Sequence, residues 1–183
     1  MPPRVAPITG KSDVPAEHHH VVDDVLKVFG NVRGPFSMIL HSPKLAERVL
    51  PLVTFFREQS VVPDKLRSLA ILTAVRERDA LYVWSAQVGA ARRAGVREEA
   101  IDLIRAKGDP GKLPPDEREI VAYTRQLMRT NRVDQAAFDA LKNKYGVQWL
   151  VELTAAANYF ALLSGIVNAF DVPAPPDGDK LPV

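Results

Sequence analysis

The chain contains no cysteine. That excludes a disulfide framework, a thiolate metal site, a haem-attachment motif and any thiol or dithiol catalyst. Histidine is scarce: of the four present, His18, His19 and His20 are neighbours, and neighbours on a helix do not point at one centre. The tract reads as a solvated helix start, and no metal or other cofactor is expected. Charge of one sign is also lacking. The 24 basic and 22 acidic residues leave a net charge of +2, without the clustered excess of a nucleic-acid binder. There is no GxGxxG, Walker-type phosphate loop, HExxH or GxSxG motif. No strand alternation is long enough to build a sheet.

What remains is an ordinary globular composition, 46% hydrophobic and 25% charged, in 183 residues. A chain of this mass hides roughly 70% of its unfolded surface, so one domain can build a core without staples. Eight of the fifteen prolines fall in residues 1–20 and 173–183. Proline fixes φ and lacks an N–H, so both ends should be extended or loosely held. The organisation expected is therefore a flexible segment 1–15, a helical body 16–172 and a proline-rich tail 173–183. The N-terminal stretch has no apolar secretory core, which makes cytoplasmic the expected location. Residues 153–170 carry no charge, at the lower limit for a spanning helix. Thr154, Asn158, Ser164, Gly165 and Asn168 interrupt the stretch and no Lys or Arg cluster flanks it, so a buried core or subunit-interface helix is expected there rather than a membrane span.

The body reads as seven to nine helices with short connections. Gly30 and Gly95 are placed to end helices. Ser42 and Pro43 look like an N-cap and first helical residue, and Asp79 and Asp134 like caps. Pro51 should kink or split the helix that contains it. The segment from Pro63 to Arg78 is apolar on almost every face and should be central.

Four phrases carry more. They are PFSMILHSPKLA at 35–46, PDKLRSLAILTAV at 63–75, ALYVWSAQVGAARRAG at 80–95, and NYFALLSGIVNAF in the last helix. In that order and spacing the chain resembles the carboxymuconolactone decarboxylase / alkyl hydroperoxidase D-like (AhpD-like) family over about residues 25–172. The resemblance implies an all-α, AhpD-like helical bundle that assembles into homo-oligomers, commonly trimers or hexamers. It implies either lactone decarboxylation or a two-cysteine peroxidase reaction.

The departures from that pattern are chemical. The family's redox Glu falls on Ser68, its two cysteines on Ala80 and Val83, and its His on Gln87. A peroxidase cycle needs a thiolate, and none exists here. Cysteine-free relatives carry a Glu–His pair one helical turn apart; at those positions stand Val83 and Gln87, which exchange no protons near neutral pH. His41, Gln87 and Tyr159 are left as candidate catalytic residues, with Ser68, Tyr82, Val83, Trp84 and Asn158 as candidate ligand contacts. They would line a pocket between the helices at 63–94 and 147–170. The expected function is that of a carboxymuconolactone decarboxylase-like enzyme, a lyase or lactone-processing protein, taking a lactone or cyclic organic acid. The alternative is a non-catalytic ligand-binding or assembly protein on the same scaffold. Neither nucleic acid nor membrane is an expected partner.

Overall fold

The computed structural model describes residues 2–182. Nine α-helices form the body and no strand occurs among the described residues. They are α1 (His19–Phe29), α2 (Pro35–Ile39), α3 (Pro43–Glu58), α4 (Asp64–Glu77), α5 (Leu81–Arg93), α6 (Glu98–Arg105), α7 (Pro115–Thr130), α8 (Gln135–Tyr145) and α9 (Val147–Ala169).

Helix α4 is the hub. It packs against α5, α6, α7 and α9, and every residue from Leu69 to Arg76 is buried. Each fully buried Leu or Ile on such a helix contributes about 1.5–3 kcal/mol over leaving it in water. Two buried arginines on α4 avoid unmet polar groups by using backbone carbonyls. Arg67 donates to Val62 O at 2.6 Å, and Arg76 donates to Arg105 O at 2.6 Å. Helix α9 lies across α4, α5 and α2. It is long and apolar enough to cross a membrane by length and composition alone, but 56% of its most apolar window is buried inside the bundle. Burial is one-sided: Val147, Val151, Ala155, Asn158, Leu162 and Gly165 face outward.

Helix ends follow local chemistry in most places. Gly30 and Gly95 sit at φ +73° and +83°, the left-handed region that ends a helix without a Cβ penalty. The Asp134 carboxylate accepts from Ala137 N at 2.8 Å. Asp79 does not cap α5. It stands at φ +48° and its carboxylate is taken instead by Arg76 and Lys107, stronger charge-assisted partners than a backbone amide. Ser42 makes no side-chain cap bond, although Pro43 does occupy the first turn. Pro51 does not split α3, which stays one helix from Pro43 to Glu58. The burial of Val49, Leu50, Val53 and Phe56 on either side of it holds that helix together.

The terminal segments, expected to be extended or loosely held, are fastened to the body. Ile8, Val14 and Leu181 are buried. Arg4 N donates to Phe170 O at 3.0 Å and its guanidinium pairs with Asp171 at 2.6 Å. Near the other end, Asp179 accepts from Trp84 Nε1 at 3.3 Å, Arg105 Nη2 at 2.8 Å and Arg92 Nη2 at 3.1 Å. Burial pushes the Asp179 carboxyl up, but these three donors outweigh it and hold it below the ordinary aspartate range.

Candidate functional site

Helix α5 presents two faces. Trp84, Ser85 and Arg92 turn toward the C-terminal segment: Gly178 sits so close to Ser85 that an added Cβ would fall 1.9 Å from its Oγ. Tyr82, Val83, Ala86, Gln87 and Arg93 turn the other way and line a cavity of about 380 Å³. The opposite walls come from α1 and the turn after it (Phe29, Asn31, Arg33), from α2 (Pro35, Phe36), from α3 (Val53, Arg57) and from α9 (Phe160, Leu163). The volume suits a small organic molecule.

The turn that carries Arg33 is shaped for this wall. Gly34 has φ +62°, and a Cβ there would lie 2.2 Å from Tyr82 Cε1. Only glycine lets the chain cross the phenol ring at that distance while turning left-handed. Tyr82 is half-buried, and burial raises its hydroxyl pKa despite the opposing charge of Arg33. The phenol therefore stays protonated at neutral pH and acts as an O–H donor rather than a base. Arg57 lies over the Phe29 ring at 5.2 Å and donates to Val28 O at 3.3 Å.

Of the residues singled out from sequence, the cavity gathers Tyr82, Val83 and Gln87. Trp84 is on the same helix but fully buried, with Arg105 over its ring at 5.6 Å. Tyr159 is buried among core side chains, and its hydroxyl donates to Val49 O at 3.2 Å. His41 is exposed and its Nε2 meets Ala6 O at 3.0 Å, so it ties the N-terminal segment to the start of α3. Asn158 is exposed, bonded to Thr154 O within its own helix. Ser68 lies on α4 outside the cavity lining. Sequence reasoning missed the rest of the lining, including its three charged residues, Arg33, Arg57 and Arg93.

This placement gives Tyr159 a structural part. Tyr159→Phe should cost about 1 kcal/mol through the lost bond to Val49 O, seen as a lower urea midpoint. A variant as stable as the parent would show that this bond contributes nothing.

No protein-family model matches the sequence, and no curated protein sequence matches it significantly. Solved structures do match in fold. One is an alkylhydroperoxidase AhpD core, an uncharacterised peroxidase-related protein from Ralstonia eutropha JMP134. It has a TM-score of 0.72 and 15% identity over 94% of this chain and 95% of that one. Another is the debrominase Bmp8 in complex with 2,3,4-tribromopyrrole, with a TM-score of 0.71 and 19% identity over 95% and 94% of the two chains. A third, from Agrobacterium tumefaciens, is a protein of unknown function with a TM-score of 0.67 and 17% identity over 76% and 96%. The chain thus has the AhpD-like helical fold, as the sequence phrases implied. It has that fold without a single cysteine.

Proposed function

We propose that the protein binds a small cyclic organic molecule, a lactone or cyclic organic acid, in the cavity beside α5. The observation that supports this reading is the lining itself. Phe29, Phe36, Tyr82 and Phe160 supply apolar and aromatic wall, and Tyr82, Gln87 and the arginines supply a few polar contacts, the composition expected of a ligand pocket. The same lining contains no histidine, carboxylate, lysine or cysteine. General acid–base chemistry near pH 7 needs a group that titrates there, and neither the arginines nor the protonated Tyr82 phenol does. Binding without turnover is therefore the better-supported form of the proposal. Homo-oligomerisation belongs to the same reading. Its support is the outward stripe of α9, where Val147 and Val151 are 62% and 60% exposed.

The test uses Ala86→Trp. Ala86 lines the cavity and is exposed, so a bulky side chain fills the space without entering the core. A panel of γ-lactones and cyclic acids is titrated calorimetrically into both proteins. The parent should bind at least one member, and Ala86→Trp should lose that binding at an unchanged Tm. Binding that survives the substitution would put the ligand elsewhere, and reproducible turnover of a lactone or peroxide would overturn the non-catalytic form.

A further inference from the structure

The chain has fifteen arginines. Among the described residues, nine make an ion pair with a carboxylate. Three of the remaining six, Arg33, Arg57 and Arg93, line the same cavity beside α5. They arrive from three different elements: the turn after α1, the end of α3 and the end of α5. No carboxylate shares the lining with them. Three guanidiniums held around one concave surface raise the local positive potential, and nothing in the wall cancels it.

The geometry between these charges is flat and aromatic. Phe29 and Phe36 stand with ring centroids 5.2 Å apart and tilted by 40°, and Phe160 and Tyr82 complete the wall. The Arg57 guanidinium lies on the face of Phe29, so a planar group entering here finds aromatic wall beside a stacked cation. The Arg93 side chain folds back along α5, its Nη1 3.5 Å from where a Gly89 Cβ would be. Arg33 stands at the other end of the same face, close enough for its charge to act on the Tyr82 phenol. Arginine is suited to this task because its planar fork matches a carboxylate with two parallel hydrogen bonds.

We infer that the cavity is a receptor for a planar aromatic carboxylate: the ring lies against Phe29, Phe36 and Phe160, and the carboxylate is held by Arg33 or Arg93 with help from the Tyr82 hydroxyl. This rests on the small-molecule reading of the cavity and adds charge and planarity to it. A neutral lactone would leave the guanidiniums without a partner. A saturated ring acid would satisfy them but lose the face-to-face contacts.

The experiment compares four probes by calorimetry at low and high salt: benzoate, benzamide, cyclohexanecarboxylate and inorganic sulfate. Benzoate should bind at least tenfold more tightly than benzamide or cyclohexanecarboxylate, and more weakly at high salt. The double variant Arg33→Gln/Arg93→Gln should weaken benzoate at least tenfold at an unchanged Tm, because neither arginine makes an ion pair among the described residues. Ala86→Trp should abolish it. If benzamide or a γ-lactone matches benzoate and the double variant binds normally, the charge inference is overturned while the cavity reading stands. Cyclohexanecarboxylate matching benzoate overturns the planarity. Sulfate matching benzoate means unspecific attraction to exposed guanidiniums and overturns the receptor. If no probe binds and no γ-lactone does either, the small-molecule reading falls with it.

Discussion

Glu77→Ala should destabilise the protein by about 3–5 kcal/mol, the cost of stranding a buried charge. The Glu77 carboxylate, 5% exposed, lies 3.2 Å from Arg125 Nε and accepts from Arg129 Nε at 2.7 Å and Nη2 at 3.0 Å. The Arg125 side chain is itself 9% exposed. One of its nitrogens reaches Gly108 O at 2.7 Å, while Nη2 has no hydrogen-bond partner. Burial already pulls the Arg125 pKa down, with Glu77 the main opposing influence. Without that carboxylate, Arg125 would remain ionised, buried and beside another cation, Arg129. The double variant Glu77→Ala/Arg125→Met removes the stranded charge as well, so it should recover at least 1 kcal/mol of the single-variant loss. Urea unfolding of the four proteins in the cycle checks both numbers. A single variant within about 1 kcal/mol of the parent would contradict the buried-charge account.

Trp84→Ala should be comparably severe, about 3–5 kcal/mol, because a fully buried indole leaves a large cavity that the surrounding helices close only in part. Trp84→Phe keeps most of the packing but removes the N–H that meets Asp179, and should cost about 1 kcal/mol. Both variants should leave ligand affinity under native conditions nearly unchanged, since Trp84 does not line the cavity. Unfolding curves and calorimetric titration separate the two effects. A Trp84→Phe protein of parental stability that no longer binds would return Trp84 to the ligand site, where the sequence phrase had placed it.

The helical class was readable because no alternation competes with the 3.6-residue period, and α4 showed its central place through its nearly unbroken apolar run. Gly30 and Gly95 ended helices where expected because a left-handed terminus needs only a local residue choice. Pro51 and Asp79 misled for a tertiary reason: packing on α3 outweighs a missing backbone bond, and two distant cations compete for one carboxylate. The proline-rich ends are largely extended, as proline predicts, but their packing could not be read locally. Extended backbone without internal bonds still packs when Leu181 and Asp179 find partners far off in sequence.

The site was legible where one helix carries it. Tyr82, Val83 and Gln87 share a face of α5, and family-like spacing pointed to that face. Arg33, Arg57 and Arg93 stayed hidden because three separate elements deliver them. Local sequence held no signal for them: Arg92, Arg97 and Arg129 also lack an acidic residue three or four positions away, yet each pairs with a more distant carboxylate. Tyr159 and Asn158 were placed at the site through the family-like phrase in the last helix, yet helix geometry turns Tyr159 inward and Asn158 outward.

The stitching of the two termini bears on how the molecule comes apart. Arg4 closes onto Asp171, Asp179 onto Trp84, and Pro182 onto Arg76. Such closures are the slowest to form and the least reinforced by local structure. Both ends are therefore expected to open before the helices around α4 lose their amide protection. A protease would meet those ends first, and trimming them would expose Trp84 before it loosened the cavity.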